Sequence, residues 1–331
     1  MRLTIIVCFA LTGLLLAQEP ESRLDRLTRW LRSPRASIRE EAVTELDTVP
    51  INSALPLLLS ALSDSSTVVR AAAASSLART ADKRAVPALR PLLKDDDEHV
   101  RAAAVWALCH TAGKAILPDV LSMCLDDASG IVRFRAVWGL AFIGDKSALP
   151  VAVAALGDYN TAVRERSALL ALDVLADGTI GDRLVKQAKN IFPPTRRIVM
   201  YLFTRYGDAK QAGLALQAGL KDGEPLVRAE AALALGRRHA KNVVPFLLPA
   251  LQDDDDHVRG AAAHALGLLG EPSSREALRP LLQDEAAFVR AVAAESLQQL
   301  GDQTIKPPAG FRAADLFTYP IYSPENAQRY R

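Results

Sequence analysis

The sequence predicts an all-α protein, a right-handed α-solenoid of about nine helix-turn-helix repeats. Three observations predict it. Arginine recurs at Arg39, Arg70, Arg101, Arg133, Arg164, Arg196, Arg228, Arg259 and Arg290, always 31 or 32 residues apart. Apolar residues around each arginine follow helical spacing. Half of the residues are apolar but only 5% are aromatic, so Ala, Leu and Val must fill the core. Ala and Leu are strong helix formers, and a unit this small buries its apolar side only by stacking on its neighbours.

The N-terminus comes first. Arg2, the apolar stretch Leu3–Leu16 and the small Ala17 read as a signal peptide over residues 1–17. The stretch is shorter than the roughly 20 residues a membrane span needs. Cys8 lies inside it and is not placed for lipid attachment. A secreted or periplasmic location is therefore expected, with no membrane span after signal cleavage. In such a compartment Cys109 and Cys124 are open to pairing; two buried thiols acting as small apolar groups are the simpler expectation. Their spacing matches neither a redox nor a zinc motif.

Residues 18–301 form the repeat array. In the third unit, Lys83–Lys94 reads as a first helix, Asp95–His99 as a turn and Val100–Leu108 as a second helix closed by Gly113. Ser66, Asp97, Ser129, Asn160 and Asp255, four residues before their arginines, are N-cap types. Pro56, Pro87, Pro118, Pro150 and Pro245 are expected in the first turn of the first helices, where a missing N–H is harmless. Counting each arginine as zero, positions −1, +3, +6, +7 and +10 form one apolar stripe. Valine predominates at −1, Ala at +3 and Leu at +7.

Six residues before the arginines stand Asp64, Asp95, Asp127, Asp158, Asp222, Asp253 and Asp284. With Arg70, Arg101, Arg133, Arg164, Arg228, Arg259 and Arg290 they are expected to build a structural charge ladder, paired within a repeat or to the next. Exposed pairs of this kind are worth only about 0–1 kcal/mol. The sixth unit departs, with Asn190 for the turn Asp, then Phe192-Pro193-Pro194-Thr195 and the bulky run Val199–Phe203. A local bend is expected there. Residues 302–331 form a Pro- and aromatic-rich tail containing Phe311, Phe317, Tyr319, Tyr322 and Tyr330. It is expected to cap the last repeat; lying along the inner face is the alternative.

The motif Asp-x5-Val-Arg-x-x-Ala-x-x-x-Leu, as in Asp95 to Leu108 and Asp253 to Leu266, resembles the HEAT repeat family. The likeness is to the short HEAT-like repeats first named after phycocyanobilin lyases. It covers roughly residues 21–301 and implies an α-solenoid built for protein–protein interaction. Iron-dependent HEAT-like hydroxylases use His-Glu dipeptides as metal ligands. None of His99, His110, His239, His257 or His264 is followed by Glu, so that activity does not carry over. No phosphate-binding glycine loop, nucleophile elbow or calcium loop occurs.

Position +5 should face away from the buried stripe. It reads Thr44, Ser75, Trp106, Trp138, Leu169, Tyr201, Leu233, His264 and Glu295. Trp106, Phe134, Trp138, Leu169 and Tyr201 are the expected partner-binding anchors, because large aromatic side chains dominate binding hot spots. Arg135, Arg166, Arg197 and Arg205 are the expected polar rim. The alternative is that adjacent helices crowd and bury this row. The balance of 40 Lys+Arg against 38 Asp+Glu lacks the basic excess of a nucleic-acid surface. The reading is a non-enzymatic scaffold that binds a protein or peptide through its concave face, without cofactor or metal. An enzyme on the same scaffold, a bilin lyase or metal-dependent oxygenase, is the alternative.

Overall fold

The computed structural model describes residues 22–317 apart from Lys241; at 166–168 and 170–171 it describes the backbone only. The signal-peptide reading, Cys8, Tyr319, Tyr322 and Tyr330 lie outside the described residues. Among these residues there are helices and no strands, and the fold is an all-α solenoid of stacked helix pairs. The chain falls into two compact bodies that divide at Ile143, with Cys124–Asp126 grouped with the second.

In the first body the second helices of repeats one to four are Ala36–Glu45, Thr67–Thr80, Glu98–Ala112 and Gly130–Ile143. In the second body those of repeats six to nine are Pro193–Leu202, Pro225–Arg237, Asp256–Leu269 and Ala287–Gln299. Repeat five begins its second helix as a π-helix, Ala162–Ser167, before the α-helix Ala168–Leu175. Second helices pack on the second helix of the next repeat from repeat one to four and from repeat six to nine.

The apolar stripe explains that packing. Val69, Val100, Val132, Val163, Val227, Val258 and Val289 are fully buried, as are Ala73, Ala104, Ala136, Ala231, Ala262 and Ala293. Leu77, Leu108, Leu140, Leu235, Leu266 and Leu297 close the seam. Glycine allows the closest approach: a Cβ on Gly236 would sit 2.7 Å from Cα of Ala265, and one on Gly139 2.4 Å from Sγ of Cys109. Both Cys109 and Cys124 are buried thiols, and desolvation pushes Cys109 up to about 12.

The charge ladder joins successive repeats. Arg39, Arg70, Arg101, Arg196, Arg228 and Arg259 each grip an aspartate of the following repeat with two parallel bonds from Nε and Nη2. The partners are Asp64, Asp95, Asp127, Asp222, Asp253 and Asp284, at 2.7–3.0 Å. The remaining nitrogen, Nη1, donates to the carbonyl six residues back in the arginine's own repeat. Arg133, Arg164 and Arg290 make this carbonyl bond to Asp127, Asp158 and Asp284. Each aspartate also accepts the N–H two residues on, which shapes the turn. The arginine thus ties its own turn to the next one. These paired side chains expose no more than 17% of their surface. Their bidentate geometry and partial shielding distinguish them from freely exposed pairs.

Two local expectations need correction. Pro56 lies inside the helix Ile51–Ala61, which starts a turn earlier, after Pro50. Pro87, Pro118, Pro150 and Pro245 do stand in the first turn. Ser66 occupies an N-cap position but its side chain makes no capping bond. Asp97, Ser129, Asn160 and Asp255 accept helix-start N–H groups as expected. A second proline, Pro91, Pro249 or Pro280, lacks the N–H an α-helix needs, and there the first helix continues as a 3-10 segment.

Candidate protein-binding surface

The second helices of repeats three and four bring a cluster of rings together. Trp106 and Trp138, both at position +5, have ring centroids 5.3 Å apart. One turn further along each helix stand His110 and Phe142, whose rings stack at 3.8 Å. Trp106 meets His110 edge-on at 4.2 Å and Phe142 at 6.1 Å. Phe134 meets Trp138 edge-on at 5.5 Å. The guanidinium of Arg135 lies 5.6 Å from the Trp106 ring and 5.5 Å from the Trp138 ring. Arg135 is therefore part of the aromatic surface and not its rim, and burial lowers its pKa.

This surface is only partly covered. Trp106, Phe134, Arg135 and Trp138 are half-buried, and Phe142 is 54% exposed. His110 is held by a bond between Nδ1 and the Trp106 carbonyl, 2.9 Å long. Large apolar groups on a wet face beside a cation are suited to binding, since aromatic and arginine side chains give most area and attraction per residue. The +9 positions His110 and Phe142 were not among the expected anchors. Their signal is the i, i+4 spacing to Trp106 and Trp138, which puts them on the same helical face.

Leu169 does not belong to this surface. It is fully buried, because the wider π turn at Ala162–Ser167 shifts the helix register just before it. Tyr201 is half-buried in the second body, near a polar group in which Arg205 pairs with Asp173 at 2.8 Å and Tyr206 donates to Asp173 at 3.1 Å. Arg197 stands 3.9 Å from the buried Glu230, whose other oxygen meets Arg237 at 3.3 Å. Burial raises the Glu230 pKa against the pull of both arginines. The side chain of Arg166 lies outside the described residues.

Repeat six replaces a rung. Asn190 stands where the next aspartate would meet Arg164, and the Phe192 ring lies 5.2 Å from that guanidinium. Arg164 is buried, and its Nε has no hydrogen-bond partner. Thr195, in the valine position, donates to the Leu156 carbonyl at 3.0 Å.

At the end of the array the described part of the tail, residues 302–317, runs back over the +5 row. The Ala313 N–H donates to the Glu295 carboxylate at 2.6 Å. The Phe317 ring stacks on His264 at 5.4 Å, and its carbonyl accepts from Arg237. Ring stacking on the histidine and two satisfied backbone groups hold this path. It also explains why Leu233 and His264 are buried while the row at repeats one to four is open.

Among the described residues, Asp255, Asp256 and His257 offer three potential metal ligands within 4.8 Å. Asp255 is already engaged as a helix cap, and His257 Nδ1 lies 2.8 Å from Asp256.

The sequence matches the HEAT repeats family over residues 24–109, 117–188 and 214–298. The chain belongs to the HEAT repeat family. Among solved structures, Kap121p bound to Pho4p is similar with a TM-score of 0.63 at 16% identity, covering 84% of this chain and 37% of that one. Kap121p bound to Nup53p gives a TM-score of 0.55 at 16% identity, covering 84% and 41%. This chain thus spans well under half of Kap121p. Human deoxyhypusine hydroxylase in complex with glycerol is 23% identical over 85% of this chain and 96% of its own, with a TM-score of only 0.34. No curated protein matches the chain. No helix among the described residues is long and apolar enough to cross a membrane.

Proposed function

We propose that this chain is a non-catalytic scaffold that binds a protein or peptide through the concave row of its second helices, at repeats three and four. One observation carries the reading: Trp106, Phe134, Trp138 and Phe142 cluster beside Arg135, and Phe142 is 54% exposed. The fold neighbour Kap121p is bound to the proteins Pho4p and Nup53p in its structures, which supports protein as the partner class. The leader-like start from Arg2 to Ala17 supports a secreted or periplasmic location.

The test compares affinity capture from the native envelope fraction by the intact protein and by the W106A/W138A variant. The expected result is loss of the captured protein from the variant, with helical circular dichroism unchanged. Equal capture by both would reject the site. Metal analysis addresses the non-catalytic part, since stoichiometric iron or zinc in the purified protein would contradict it.

A further inference from the structure

The C-terminal segment Phe311–Phe317 lies on the second helices of repeats seven, eight and nine in the manner of a bound peptide. Its contacts are of two kinds. Backbone groups make the polar ones: the Ala313 N–H to Glu295 and the Phe317 carbonyl to Arg237. One aromatic ring makes the main apolar one, on His264. Main-chain bonds at two points plus one side-chain seat are the general means by which proteins hold short segments.

The seat is built into the array. Gly260 stands at +1 of repeat eight, and a Cβ there would come within 3.4 Å of the Phe317 ring and 2.9 Å of Phe288. Any larger residue would narrow the floor under the ring. The segment fills the groove incompletely. A cavity of about 100 Å³ remains among Arg197, Leu226, Glu230, Leu233, His257 and Phe317. Leu316 is 50% exposed, so little of it is used for packing.

We infer that this groove is a peptide-recognition site whose resident ligand is the chain's own segment Phe311–Phe317, held reversibly. The partner it fits is a short segment with an unblocked backbone N–H and, four residues later, an aromatic ring. Such a partner must displace the tail, so the full-length chain is self-occluded at repeats seven to nine. This site is separate from the aromatic surface of repeats three and four, and does not depend on that surface binding anything.

The test uses the full chain and a fluorescently labelled synthetic peptide with the sequence Gly310–Tyr319. In the A313P/F317A variant the resident tail loses its N–H donor and its ring. Fluorescence anisotropy should show that variant binding the free peptide at least about tenfold more tightly than the wild-type chain, because competition by the tail is removed. Adding E295A or G260V to the variant should abolish the gain. Equal peptide affinity in the wild type and the variant would overturn the inference. So would loss of helical structure in A313P/F317A, because the tail would then be an integral part of the fold. Failure of the Trp106 and Trp138 test leaves this one standing, and the reverse also holds.

Discussion

Arg228 holds two repeats at once. Its Nη1 donates to the Asp222 carbonyl of its own turn at 2.9 Å, while Nε and Nη2 clasp Asp253 of the next turn at 2.8 and 2.7 Å. Removing the side chain leaves a shielded carboxylate and a turn carbonyl without their donor. The R228A variant should lose about 2–4 kcal/mol, and D253N less, since an amide oxygen still accepts. Chemical denaturation monitored by circular dichroism gives both values.

Stability should fall in acid through these rungs. The guanidinium bonds hold Asp64, Asp95 and Asp284 below the usual carboxylate range, and Asp222 and Asp253 are likewise lowered despite burial. The unfolded chain then takes up these protons first as the pH falls. The contribution is full above an unfolded value near 3.8 and is lost as the pH drops through the lower folded values. His264 acts at milder pH. Burial pushes its imidazole down to about 4 from 6.5, so its site loses on the order of 3 kcal/mol between those two values. Melting temperatures across pH 3–8 should show a first decline below about pH 6.5, absent in H264A.

Restoring the missing rung should stabilise the array. Arg164 has an unpartnered Nε, and Asn190 stands at the sequence position where the other repeats carry the aspartate. The N190D variant supplies a carboxylate and should gain about 1 kcal/mol, read as a rise in melting temperature. A fall would mean that the Phe192 ring already satisfies this arginine.

Leu169 and the tryptophans should separate stability from binding. L169A opens a cavity in the core and should cost about 2–5 kcal/mol. Trp106 and Trp138 are half-buried, so their loss should affect the fold less. G236V should also destabilise, by about 1–3 kcal/mol, because its side chain would overlap the Ala265 backbone. Thermal denaturation of the three variants checks the order.

Much of the fold is legible in sequence because its determinants are local and periodic. The Val-Arg pair, the alanine at +3 and the leucine at +7 repeat, and each residue sits as its spacing predicts. The aspartate–arginine ladder is equally readable, although only the structure shows that the carboxylate belongs to the next repeat. Leu169 was not readable, because a π turn changes register without a composition signal. The tail was half readable. Its aromatic content predicts contact with the array, but the seat of Phe317 depends on Gly260 and His264, more than fifty residues earlier. The +9 members His110 and Phe142 are legible from their i, i+4 spacing to Trp106 and Trp138, but their stacking on each other needs the neighbouring helix in place.

The most direct test of the account is titration calorimetry of the captured envelope protein against the wild-type chain and W106A/W138A. Loss of roughly a hundredfold or more in affinity, about 3 kcal/mol, with the helical fold retained is the predicted result. Unchanged affinity would contradict the assignment of binding to the rings around Arg135.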